Sequence, residues 1–128
     1  MSNFYLFSGI FALGYSIYAG IMYHSLSGTN LLNINIANKM IAMNKIDHIF
    51  DVRTETEFKA GHFKKAINIP LSTININNEK LKKINVNNTI LVHCRTGNRA
   101  RMAMERLTCL GFKNVFYIVE NYPALIIL

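Results

Sequence analysis

The chain has 128 residues, room for one domain of ordinary size and little more. Lys and Arg outnumber Asp and Glu by 14 to 7, an excess that suits an anionic substrate, anionic lipid or a solvated basic face. No basic run interleaves with aromatics, which argues against nucleic-acid binding, and two cysteines are too few for a disulfide framework or a four-ligand zinc site.

In chain order, residues 1–38 carry no charged side chain. Within them Phe4 to Tyr23 is a mostly apolar run of about twenty residues, the length of a bilayer-spanning helix. Tyr5, Tyr15, Tyr18 and Tyr23 place amphipathic rings near both ends. The reading is a single transmembrane anchor over 4–23. A cleavable signal peptide is the alternative, with a small-residue site near Ala19-Gly20 but no basic n-region. Ser8, Ala12, Ser16 and Gly20 recur every four residues, a small-residue face through which two such helices could form a homodimer. Residues 24–30 read as a linker. The first charges after the anchor are Lys39 and Lys45, so the positive-inside bias puts the remaining domain, 31–128, on the cytoplasmic side. A reduced cysteine fits that side.

Leu31 to Ile34 suggests a short edge strand. Asn35 is the expected cap of a helix that buries Ile36, Met40 and Met43. Asp47 to Phe50 is a strand ending at Asp51. Thr54, with Glu57 three residues on, has the spacing of a capping box, and Gly61 closes the helix it opens. Ala66 to Ile69 is a strand closed by Pro70, and Glu79 to Ile84 a helix with Leu81 and Ile84 inward. Thr89 to His93 is a strand apolar on both faces, as a central parallel strand should be. A helix opening at Arg99 or Ala100 turns Ala103, Leu107 and Leu110 inward and stops at Gly111, before a last strand over Val115–Val119. Strands alternating with helices give an α/β domain with a mostly parallel sheet of about five strands flanked by helices.

The stretch with chemistry is His93 to Arg101, HCRTGNRAR. Ligands in open α/β sheets sit beyond the carboxyl ends of the strands, where Cys94 falls. A loop curling into a helix start aims several backbone N–H groups at one point. Those donors, with Arg95 and Arg99, favour a thiolate, the nucleophilic form of cysteine. Gly97 frees the backbone for the turn, and Arg99 could fork onto an anionic substrate. Cys109 lies about 15 Å along the helix from the loop at 1.5 Å per residue, too far for a bridge to Cys94.

Taken in order, Asp51-Val52-Arg53, Glu57-Phe58, Gly61-His62, Ala66-Ile67-Asn68-Ile69-Pro70, Cys94-Arg95-Thr96-Gly97-Asn98-Arg99-Ala100 and Gly111-Phe112 resemble the single-domain rhodanese family of sulfurtransferases. The resemblance implies a rhodanese-like domain whose Cys94 takes a sulfane sulfur from thiosulfate or a persulfide. It holds that sulfur as a cysteine persulfide and passes it to a thiol or cyanide-like acceptor. It further implies that Arg95, Thr96, Gly97, Asn98 and Arg99 bind the small anionic donor. Asp51, Arg53, Glu57 and His62 are supporting residues, with Arg53 pairing with Glu57 and a catalytic part for His62 as the less favoured role. No metal or organic cofactor is implied.

Four residues separate Cys94 from Arg99. Tyrosine phosphatases, and the cell-cycle phosphatases that share the fold, resemble Cys-x5-Arg instead, with a loop wide enough for a tetrahedral phosphate. The shorter loop favours sulfur transfer over the alternatives, a small cysteine-dependent phosphatase or arsenate reductase, or a tethered binding or persulfide-sensing module. Two departures from the family pattern stand out. Lys65 occupies a usual glycine position, and Glu120-Asn121 followed by Leu125 replaces a Gly-Gly pair followed by Trp. Loss of both glycines bears on the local turn and, through it, on the wall of the pocket that the resemblance implies.

Overall fold

Four short runs rich in branched and aromatic side chains pair into one parallel sheet, and the helices between them cover both faces. The structure, a computed structural model, describes residues 30–126. In chain order the elements are α1 (Ile34–Ala42), β1 (His48–Asp51), α2 (Glu55–Ala60), β2 (Ala66–Asn68), α3 (Glu79–Lys82), β3 (Thr89–His93), α4 (Asn98–Cys109) and β4 (Asn114–Tyr117). Short 3-10 turns lie at Leu71–Thr73 and Tyr122–Ala124. The expected span over 4–23, with its Ser8, Ala12, Ser16 and Gly20 face, lies outside the described residues. Among the described residues no helix is long and apolar enough to cross a membrane.

The sheet order is β2-β1-β3-β4, every pair parallel. Four strands therefore replace the five expected. The candidate edge strand at Leu31–Ile34 contributes a single parallel bridge from Leu31 to Tyr117. It stops there because the Asn33 side chain accepts the Asn35 N–H and caps α1, so Asn33 and not Asn35 is the cap. The last strand is also shifted, to Asn114–Tyr117 in place of Val115–Val119.

Side-chain alternation along the strands builds two cores. Phe50, Ile90, Val92 and Val115 face α3 and α4, where they meet Leu81, Ala100, Ala103 and Leu107. Ile49, Leu91 and Phe116 face α1, where they meet Ala37, Met40 and Ile41. The helix patterns shift slightly from expectation: Ile36, Met43, Ile84 and Leu110 are only partly buried against these cores. Register sets the functional end. Asp51 stands opposite His93 at the carboxyl ends of β1 and β3, so the loop that begins at Cys94 leaves from the middle of the sheet.

Candidate active site

Cys94 is 1% exposed, at the floor of the turn between β3 and α4. Its Sγ receives the Gly97 N–H at 3.1 Å and the Ala100 N–H at 3.3 Å. The helix opens one or two residues earlier than expected, at Asn98, because Gly97 takes the N-cap with φ 99°, a left-handed conformation that needs glycine. The sulfur therefore sits at the positive end of a twelve-residue helix as well as on two amides. Both contributions set partial positive charge against the sulfur.

The arginines divide. Arg99 forks onto Glu57, Nη1 to Oε1 at 2.6 Å and Nη2 to Oε2 at 3.0 Å. Glu57 also accepts the Thr54 N–H at 3.2 Å and the Thr54 hydroxyl at 3.0 Å, completing the capping box. The Arg99 fork is the main reason that the Glu57 carboxyl is held down at about 2. Arg99 is raised by the same bond. The fork expected for a bound anion is thus occupied by a carboxylate of the chain itself. Arg95 and Thr96 are exposed on the loop, as is Asn98, and Arg95 makes no ion pair or hydrogen bond among the described residues.

The expected Arg53–Glu57 pair is not formed. Arg53 instead meets Asp51, which is fully buried: Nε reaches Oδ1 at 2.9 Å and Nη2 reaches Oδ2 at 2.6 Å. The same Nη2 donates to the Gly61 carbonyl at 2.7 Å. Spacing explains the exchange, since at i and i+2 on extended backbone both side chains turn to one side, while Glu57 faces α4 across the loop. The hydrogen bond that Arg53 donates to Asp51 is the leading cause of the raised Arg53 pKa. His62 stacks on Phe58, rings 3.7 Å apart, and its Nδ1 lies 2.8 Å from the Phe58 carbonyl, which ties it to the end of α2.

Four contributors were not expected from sequence. His93 is fully buried, with Nε2 3.8 Å from Asp51 and no hydrogen bond to that nitrogen. Burial pushes its pKa down against the pull of Asp51, so the ring is neutral near neutral pH. Its place at a strand end directly before the cysteine was the available signal. Asn68 donates to the Asp51 and Arg53 carbonyls, both at 3.0 Å. The Tyr122 ring lies 5.0 Å from the Arg53 guanidinium carbon, and its hydroxyl would be 2.5 Å from a Cβ at Gly61. Val119 packs on Gly97. These last two come from the far end of the chain, with no local mark. Replacement of the glycine pair costs no strain there: Asn44 is the one non-glycine residue with positive φ among the described residues, so Glu120 and Asn121 hold ordinary backbone. Among the same residues no His, Cys, Asp and Glu group could hold a metal ion.

A parallel sheet with a cysteine in an amide-lined loop at its carboxyl end defines a class of α/β domains built around a cysteine loop. The chain belongs to the rhodanese-like family, whose domain matches residues 34–125. It is 34% identical over 93 residues to the tRNA uridine(34) hydroxylase of Buchnera aphidicola subsp. Baizongia pistaciae, covering 68% of this chain and 28% of that protein. It is 31% identical over 77 residues to a putative mitochondrial thiosulfate sulfurtransferase of Schizosaccharomyces pombe, covering 52% of this chain and 54% of that one. The chain thus spans about half or less of the length of these relatives. Among solved structures, a rhodanese-related protein from Thermoplasma volcanium superposes with TM-score 0.60 at 28% identity, covering 72% of this chain and 85% of that one. A human single-domain sulfurtransferase superposes with TM-score 0.65 at 20% identity, covering 75% and 94%, a likeness of fold.

Proposed function

We propose that the protein is a sulfurtransferase that carries a sulfane sulfur on Cys94. The observation that carries this reading is the Cys94 sulfur held by the Gly97 and Ala100 amides, with Arg99 closing a four-residue interval. In the first step the Cys94 thiolate attacks the outer sulfur of thiosulfate or a persulfide. The donor S–S bond breaks and its electron pair leaves on sulfite or on a thiolate. In the second step an acceptor thiolate or cyanide attacks the outer sulfur of the Cys94 persulfide, and the Cys94 thiolate is restored. Neither step needs an external oxidant or reductant. The loop amides and the start of α4 stabilise negative charge on sulfur throughout. Arg95, without a partner among the described residues, is the group that meets an anionic donor, and Arg99 with Glu57 holds the loop in shape. A cysteine this deeply buried is reached by a slender donor more readily than by a bulky aryl phosphate.

Mass spectrometry after thiosulfate treatment tests this. The wild type should gain one sulfur, about 32 Da, on its nucleophile, and Cys94→Ser should gain none. Turnover of a phosphotyrosine analogue with no sulfur adduct on the wild type would overturn the reading.

A further inference from the structure

The His93 ring stands between the end of β1 and the first peptide of the Cys94 loop. Leu91 packs under α1 and Cys94 under α4, so alternation puts the ring and the sulfur on opposite sides of the chain. The two ring nitrogens face two different acceptors, Nδ1 the Cys94 carbonyl at 3.5 Å and Nε2 the Asp51 Oδ2 at 3.8 Å. A neutral imidazole has one proton for the two. Asp51 is already served. Its Oδ1 accepts the Arg53 backbone N–H at 3.0 Å and Nε at 2.9 Å, and its Oδ2 accepts Nη2 at 2.6 Å and Nε at 3.1 Å. The Cys94 carbonyl is not. The residue is buried, and among the described residues His93 Nδ1 is the donor that reaches that oxygen. A proton on Nδ1 leaves Nε2 as a bare acceptor facing a carboxylate. That accounts for two observations together, the 3.8 Å separation and a buried Nε2 with no hydrogen-bond partner.

We propose that His93 is a positioning residue for sulfur transfer: protonated on Nδ1, it holds the Cys94 carbonyl and thereby aims the Arg95 N–H at the mouth of the loop. The proposal rests on the sulfurtransferase reading. The peptide between Cys94 and Arg95 is planar and trans, so its C=O and N–H point in opposite directions. With the carbonyl drawn to the ring, the Arg95 N–H turns to the side of the sulfur. The Gly97 and Ala100 amides already meet Sγ, whereas the Arg95 amide has no acceptor among the described residues. It is left for the transferred sulfur, whose negative charge it offsets. The ring itself touches neither donor nor acceptor and acts through the Cys94 peptide.

The test reads the tautomer and the rate on the full chain. Nitrogen NMR shifts of the His93 ring near neutral pH should show a protonated Nδ1 and a bare Nε2. Sulfur adduct formation from thiosulfate is then timed in the wild type, His93→Asn and His93→Gln. The amide nitrogen of Asn falls near the place of Nδ1, and that of Gln near the place of Nε2. His93→Asn should keep the saturated rate within about threefold of wild type. His93→Gln should lower it about tenfold, with the half-saturating thiosulfate concentration little changed, because one loop amide is misdirected and not removed. A proton found on Nε2, or on both nitrogens, overturns this proposal alone, whether or not either variant folds. Equal rates in the two folded variants, or the reverse order, overturn it as well. No adduct on the wild type overturns the sulfurtransferase reading and this role together.

Discussion

Replacing Glu57 with Gln removes a charge while keeping a cap. The Gln amide oxygen can still accept the Thr54 N–H, so α2 stays closed at its start. What is lost is the two-bond fork to Arg99, at 2.6 and 3.0 Å. The folded carboxyl sits at about 2 against an ordinary 4.5, with the Arg99 bond the first cause. Taken whole, that displacement corresponds to about 3 kcal/mol. Both side chains are about a third exposed, 33% for Arg99 and 31% for Glu57, so solvent screens the pair and a loss of about 1–2 kcal/mol is expected. For a domain of this size that is a fall in Tm of about 5–10 °C at pH 7. The pH dependence carries the sign. A carboxyl whose folded pKa is depressed contributes fully above its unfolded value and loses that contribution as pH falls through the folded one. The gap between wild type and Glu57→Gln in urea unfolding should therefore be full above pH 4.5, narrow below it, and nearly close near pH 2. Equal stabilities at pH 7, or a gap that does not change with pH, would refute the assignment of Glu57 to Arg99.

Two further outcomes follow from the same geometry. Arg53→Ala strands the fully buried Asp51 carboxylate and should cost about 3–5 kcal/mol in urea unfolding, with Arg53→Lys losing less because the charge stays. A loss under about 1 kcal/mol for the alanine variant would contradict the buried pair. Gly97→Ala forces a side chain into a left-handed φ and against Val119, and should destabilise by about 1–3 kcal/mol while slowing adduct formation at Cys94. Wild-type stability together with a wild-type rate would show that the loop is not shaped as described.

The strongest local signals were reliable where one segment contained the whole cause. Thr54 and Glu57 close their capping box within four residues of chain, and it forms as read. Thr89–His93 is apolar on both faces and forms β3 with those bounds. Leu31 misled because strand character there lost to a cap: Asn33 turns the chain into α1 after a single bridge. Helix α4 started early because Gly97 could adopt the left-handed cap, which a search for the first apolar-periodic residue does not detect.

Partner choice among charges was the part that local pattern could not supply. Arg53 had two carboxylates within reach in sequence, Asp51 and Glu57. Burial of Asp51 at the end of β1 gave it the stronger claim, and Glu57 was left to face Arg99 from 42 residues away. The sequence by itself determined the α/β order of elements, the turn with Cys94 at its start, and the four-residue interval to Arg99, because each is written in contiguous residues. The tertiary structure alone decided that Arg99 is spent on Glu57, that Arg95 has no partner among the described residues, and that Val119 walls the loop. Those facts depend on which strand ends lie side by side in a parallel sheet, and no stretch of neighbouring residues encodes that.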